Sequence, residues 1–237
     1  MAGLNILIID TCGATGSIAL ADTTPIPAVL AAASLPGRTA SERLIATIKE
    51  LGATTGLGLP SLAAIAVVNG PGSFTGVRVG LSAAKGLCEA VNLPLIAISR
   101  LAVLAHLAQS PLCATVHAIL DAGRGEFYSG VYMDGICLGE ALLTGDELLA
   151  AVAATRGQTA DRVVACEATV AQSLAILNPQ LLAEPTAADA LPLALLRLQG
   201  QDFDDVATID ANYLRRTDAQ IFAKPRPRTV AGSVQAR

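Results

Sequence analysis

Apolar runs broken by glycine, proline and aspartate open the chain, and segments of helical period follow them. Residues 4–10, LNILIID, read as a buried strand ending in Asp10. Residues 11–16 carry turn chemistry, residues 17–21 resume as a second strand, and residues 28–35 supply a third, antiparallel one. Leu44, Ile45, Ile48 and Leu51 then recur at helical spacing behind Thr39 or Ser41 as cap. Residues 52–60 read as loop, and 62–68 as a continuous apolar strand buried on both faces. Asn69-Gly70-Pro71-Gly72 breaks the chain. Ser73 and Thr75 are N-cap candidates for a helix with Val77, Leu81, Ala84, Leu87, Cys88 and Val91 on one face. A short strand at 95–98 leads to a helix behind Ser99, running through Leu107.

The order restarts at Thr115. TVHAILDAGRGEFYSGVYM reads as strand, Asp121 in a glycine-rich turn, and strand, with Asp121 lying 111 positions after Asp10. Thr144 to Glu147 open an apolar helix with Glu147 as the capping-box acid. A strand at 163–166 and helices at 167–177 and 189–199 complete the pattern. The chain is therefore expected to hold two related α/β halves, 1–109 and 110–222, joined near 108–112. The last helix is free to pack back on the first half. Residues 223–237 form a basic tail without periodicity, expected to be disordered. Its Lys224, Arg226 and Arg228 read as solvated charges rather than phosphate contacts.

Composition narrows the classes. Hydrophobic residues make up 52% and charged residues 15%, which excludes disorder for most of the length. Aromatic residues are 3% and the formal net charge is −4, so neither a stacking platform for single strands nor a global attraction to RNA is present. Five scattered cysteines without CxxC spacing read as reduced residues of a cytoplasmic protein. The N-terminus shows no basic region before its apolar run, and no uncharged stretch reaches the length of a membrane span.

Candidate chemistry centres on the strand–turn–helix at residues 62–92. Free N–H groups at such a junction can hold an anion, or the turn simply caps a core helix; GxxxxGK[ST] is absent. Gly76, Gly80 and Ala84 form a small-residue row that admits a close neighbour, from this domain or from a partner subunit. Asp10 and Asp121 at strand ends suit Mg²⁺ or a water beside a phosphate, and equally suit turn residues. Arg78, a cation in the first turn of a helix, opposes the dipole and so points to a specific partner, acidic residue or anion. Lys85 reads as solvated. His106 and His117 form no HxxxH or HExxH, so no histidine-based metal site is expected. No GxSxG or Ser/His/Asp set is found.

ILIIDTCGATGSIAL, SERL, AVVNGPGSFTGVRVGLSAAKGL, LPLIAIS, ILDAGRGEFYSGVY and NYLRRTDA together resemble the TsaB (YeaZ) family over residues 4–220. The resemblance implies an α/β ASKHA fold (the actin, sugar-kinase and Hsp70 superfamily) with two RNase H-like halves and mixed sheets. It implies a non-catalytic subunit that pairs with a TsaD-like catalytic paralogue, is joined by a TsaE-like ATPase, and meets tRNA through the complex. That complex transfers threonylcarbamoyl to N6 of the adenosine 3′ of the anticodon in ANN-decoding tRNAs. Mg-ATP and threonylcarbamoyl-adenylate belong to the complex, and no cofactor or metal to this chain. The family's interface helices correspond here to residues 41–51 and 75–91, giving Ser41, Leu44, Ile48, Thr75, Gly76, Val77, Gly80 and Ala84 as partner residues. Without the partner the same face makes a homodimer. Asp10, Gly72, Ser73, Arg78 and Asp121 are left as vestigial phosphate or ligand positions. Two departures stand out: Ala40 replaces a histidine common before SERL, and a long basic tail follows Lys224. The catalytic TsaD-like paralogues differ from this chain in carrying an HxxxH metal pair on the first long helix, where residues 38–43 here hold no histidine, and adenosine-motif glycines, which VVACEATV at 163–170 lacks. An ATP-dependent phosphotransferase using Asp10 and Asp121 is the main rival; a peptidase has no nucleophile–base set or metal pair behind it.

Overall fold

In a computed structural model, residues 4–36, 39–109, 115–155 and 161–215 are described. β1 (Asn5–Asp10), β2 (Thr15–Asp22) and β3 (Ala28–Pro36) form an antiparallel meander. α1 (Ala40–Thr55), β4 (Leu62–Val68), α2 (Phe74–Val91), β5 (Leu95–Ile98) and α3 (Arg100–Leu107) follow. The first sheet has the order β3-β2-β1-β4-β5, with β4 parallel to both β1 and β5.

The second half repeats this plan. β6 (Thr115–Gly123), β7 (Glu126–Met133) and β8 (Ile136–Thr144) are again a meander, followed by α4 (Gly145–Thr155), β9 (Arg162–Ala165), α5 (Ala168–Ser173), β10 (Gln180–Leu181) and α6 (Leu191–Gln199). The order β8-β7-β6-β9-β10, with β9 parallel to β6, matches the first sheet strand for strand. The duplication inferred from the two aspartate turns is therefore a duplication of topology.

Three differences from the sequence reading have local causes. β8 was not anticipated, because most of its side chains are exposed and its alternation is unclear. The signal lay in Asp134-Gly135, both at positive φ, the two-residue hairpin turn that joins β7 to β8. The first helix runs through Gly52 to Thr55 and stops at left-handed Gly56, so part of the expected loop is helical. The helix expected at 167–177 ends at Ser173, and a short 3-10 turn, Ala175–Leu177, replaces its last part.

Each sheet is completed by chain from the other half. Leu101, Leu104, Ala105 and Ala108 pack against Val116, Ala118 and Leu120 of β6, with Tyr132 and Val164. In return Ala187, Ala190, Leu191, Ala194 and Leu195 join the core of the first sheet. Residues 204–212 then follow the first lobe. Asp204 accepts the Ala97 N–H at 2.6 Å and an Arg197 N–H at 3.0 Å, and Lys85 donates to the Ile209 carbonyl at 2.9 Å. Lys85 is thus a fixed strut, not a solvated cation. By space, residues 187–212 belong to the first lobe rather than to the half that precedes them in the chain.

Local caps hold these joints. Thr144 and Glu147 make the expected reciprocal bonds at the start of α4. A second capping box, Thr186 with Asp189, starts the short 3-10 helix Ala187–Ala190. Thr186→Ala is expected to lose about 1 kcal/mol, read from urea unfolding. The tail beyond residue 215 lies outside the described residues.

Candidate functional site

The two lobes face each other across a cleft of about 760 Å³. Its floor is the β1–β2 turn with Thr11, Cys12, Gly13 and Ala14. Its walls carry Ser41, Gly72, Ser73, Thr75 and Gly76 from one lobe, and Asp121, Cys166, Glu167 and Glu184 from the other. Arg100 closes the back.

The paired aspartates use one turn geometry. Asp10 Oδ1 accepts the Cys12 N–H at 2.8 Å, and Asp121 Oδ1 accepts the Gly123 N–H at 2.7 Å, two residues on in each case. Their exposures differ. Asp121 lines the cleft, whereas Asp10 is 2% exposed and lies behind the turn. Asp10 is therefore a buried turn carboxylate and not a ligand position open to the cleft. Burial raises its pKa, and the Arg100 guanidinium partly opposes that rise.

Arg100 is the electrostatic hub. Its side chain is 5% exposed and its Nη2 donates to Glu184 Oε1 at 2.8 Å. The same oxygen accepts the Ala14 N–H at 2.9 Å. Burial also raises Glu167 and pushes Cys166 up to about 12, so the thiol is not primed as a nucleophile. Burial raises Cys12 as well, and it donates Sγ–H to the Val68 carbonyl at 3.1 Å.

The glycine turn is tied to this floor. The Ser73 N–H donates to the Cys12 carbonyl at 2.8 Å, and Ser73 Oγ caps α2 by accepting the Gly76 N–H at 3.3 Å. Thr75 is a helical residue, not the cap. Thr11 Oγ1 donates to the Gly76 carbonyl at 2.6 Å. A Cβ on Gly76 would strike the Thr11 carbonyl oxygen, and one on Gly80 would strike Thr11 Oγ1. The small-residue row therefore seats α2 on this chain's own turn.

That placement corrects the expected partner face. Leu44, Ile48, Val77, Gly80 and Ala84 are core residues, because α1 and α2 turn these sides onto the first sheet. Ser41, Thr75 and partly buried Gly76 line the cleft. The outward faces carry other residues, including Ile45, 42% exposed, and Phe74, 55% exposed. Arg78 does not reach the cleft, and its partner is neither acid nor anion. Its guanidinium lies 3.4 Å from the Phe74 ring centroid, and its Nε donates to Tyr213 Oη at 2.7 Å.

Across the lobes, Glu140 accepts hydrogen bonds from Ser99 and Tyr132 hydroxyls and, at 2.6 Å, from Asn212 Nδ2. The sequence reading missed Arg100, Glu140, Glu167 and Glu184. Only Arg100 left a signal: like Arg78, it is a cation at the first turn of a helix. Among the described residues no group of three His, Cys, Asp or Glu is placed to hold a metal. His117 is buried, with Nε2 3.0 Å from Thr155 Oγ1, and no described helix is long and apolar enough to cross a membrane.

Two duplicated sheets, each ending its first strand in an aspartate turn and facing its twin across a cleft, define an ASKHA-like two-lobed α/β protein. The model of the family TsaD: tRNA N6-adenosine threonylcarbamoyltransferase matches residues 34–151. A "tRNA threonylcarbamoyladenosine biosynthesis protein TsaB" of Haemophilus influenzae is 39% identical over 54% of this chain and 53% of its own length. The protein of that name from Escherichia coli is 36% identical over 58% of this chain and 60% of its own length. The matched stretch thus spans between half and two thirds of these relatives. The solved structure of YeaZ from Pseudomonas aeruginosa is 26% identical, with a TM-score of 0.73 over 89% of this chain and 100% of that one. In sequence and in fold the chain is similar to proteins of the TsaB (YeaZ) family.

Proposed function

We propose that this chain takes part in tRNA threonylcarbamoyladenosine biosynthesis as a non-catalytic cytoplasmic scaffold. It pairs with a TsaD-like catalytic relative, a TsaE-like ATPase joins them, and tRNA binds through the assembly. Threonylcarbamoyl is delivered to N6 of the adenosine 3′ of the anticodon in ANN-decoding tRNAs. Mg-ATP and threonylcarbamoyl-adenylate are handled by the complex. Without its relative the chain pairs with itself. The reading rests on the likeness to the TsaB (YeaZ) family combined with one observation: among the described residues the one cation lining the cleft, Arg100, already holds Glu184 of the same chain. A pocket so neutralised favours a supporting role over the phosphotransferase alternative.

The pairing surface we infer is the outward side of α1 and α2, with Ile45 and Phe74 as apolar anchors and Ser41 and Thr75 at its rim. Phe74 is pre-ordered by the Arg78 stack, which lowers the entropy lost on docking. In size-exclusion chromatography with light scattering, wild type mixed with a TsaD-like protein is expected to run as a complex. Phe74→Glu is expected to weaken that complex by about tenfold or more while leaving the melting temperature within a few degrees. A wild-type chain that ignores the relative and instead binds Mg-ATP by calorimetry would overturn the reading.

A further inference from the structure

Glu184 sits in the cleft as a bound ligand would. Two donors from separate parts of the first lobe converge on its Oε1: the Ala14 N–H at 2.9 Å and Arg100 Nη2 at 2.8 Å. The receptor side is rigid. The Arg100 side chain is 5% exposed, its backbone N–H is anchored on the Gly70 carbonyl at 2.7 Å, and its buried Nε has no partner among the described residues. The ligand side is loose by comparison. The Glu184 side chain is 38% exposed and belongs to the irregular link between β10 and the 3-10 helix Ala187–Ala190. Gly13 leaves room for this approach, since a Cβ there would collide with both Glu184 Oε1 and Arg100 Nη2.

We propose that the cleft holds a small-anion subsite, made by the Ala14 N–H and the Arg100 guanidinium, which Glu184 fills from within the chain. The subsite takes one carboxylate or one singly charged phosphoryl group. Asp121 and Glu167 on the facing wall disfavour a multiply charged phosphate chain. An external anion gains access only when Glu184 leaves, so the carboxylate acts as a built-in competitor. This inference is independent of the pairing reading, because it concerns the isolated chain and either can fail alone.

The test uses the full chain as wild type, Glu184→Gln and Glu184→Ala. Sodium acetate and inorganic phosphate are titrated against sodium chloride at matched ionic strength, with calorimetry and thermal shift as readouts. Glu184→Ala is expected to bind acetate or phosphate saturably, about tenfold or more tighter than wild type, as expected for a charge-assisted bond to Arg100. Glu184→Gln still fills the space and is expected to behave like wild type. Saturation by acetate alone marks a carboxylate subsite, and by phosphate alone a phosphoryl one. General salting effects act equally on all three proteins and cancel in the comparison. Should Glu184→Ala not fold alone, refolding driven by either anion at concentrations without effect on wild type supports the subsite. A Glu184→Ala protein that responds no more than wild type, or that neither anion refolds, overturns it.

Discussion

Arg100→Met is expected to cost about 4 kcal/mol at neutral pH, the largest single loss in the molecule outside the apolar core. Methionine keeps the apolar stem but removes the cation that faces Asp10, Glu167 and Glu184. Asp10, 2% exposed, is then a buried carboxylate without a compensating charge. The pH dependence has a definite sign. Burial already raises Asp10 and Glu167, and Arg100 pulls both back down. Without Arg100 both rise further above their unfolded values, so the folded variant binds protons more tightly than the unfolded one. The stability owed to those protons is present at low pH and lost as pH rises through the folded pKa. The deficit against wild type should therefore be full near pH 7 and shrink on acidification toward about pH 5. Urea unfolding of both proteins across that range checks it. A deficit that stays constant would show that Arg100 acts by packing alone.

Gly76→Ala carries the second largest effect, and its sign is opposite to helix propensity. Alanine gains roughly 1 kcal/mol over glycine in a helix interior. Here the added Cβ meets the Thr11 carbonyl, a backbone atom in the floor of the cleft that cannot rotate away. Moving α2 outward also breaks the 2.6 Å bond from Thr11 Oγ1 to the Gly76 carbonyl. Overpacking of this kind costs about 1–3 kcal/mol, and the broken bond adds about 1 more. A net loss of about 2–3 kcal/mol is expected, lowering the melting temperature by roughly 5–10 °C for a chain of this size. Gly86, on the same helix, is the internal control. It is exposed and a Cβ there meets nothing within 4 Å. Gly86→Ala should therefore raise stability by up to about 1 kcal/mol. Two Gly→Ala changes ten residues apart would then move stability in opposite directions, which differential scanning calorimetry reads directly. Equal shifts would refute the close packing of α2 on Thr11.

The contrast between these glycines shows where a linear reading stops. The row Gly76, Gly80, Ala84 announces a close neighbour, and the neighbour is Thr11, 65 residues earlier in the chain. Nothing in the spacing separates that neighbour from a partner helix. The same holds for Leu44 and Ile48, apolar at helical period and equally suited to a core or an interface. Arg78 and Arg100 carry one signal, a cation at a helix start, yet one stacks on Phe74 and Tyr213 while the other anchors the cleft. The exchange of covering segments between lobes, α3 in one direction and residues 187–212 in the other, is likewise absent from periodicity. It follows from the need of each sheet to cover an apolar face.

By itself the sequence determined the alternation of strands and helices, the turn chemistry at Asp10 and Asp121, the caps at Ser73, Ser99 and Glu147, and the repeat of one plan in two halves. These are legible because strand and helix periods, glycine turns and capping boxes are set by neighbours within a few residues. Only the tertiary structure decided that Asp10 is buried while Asp121 faces the cleft. It alone joined Arg100 to Glu184 across 84 residues and Arg78 to Tyr213 across 135. Such pairs are chosen by which surfaces the packed sheets bring together, a choice made by burial of the whole chain and written in no local pattern.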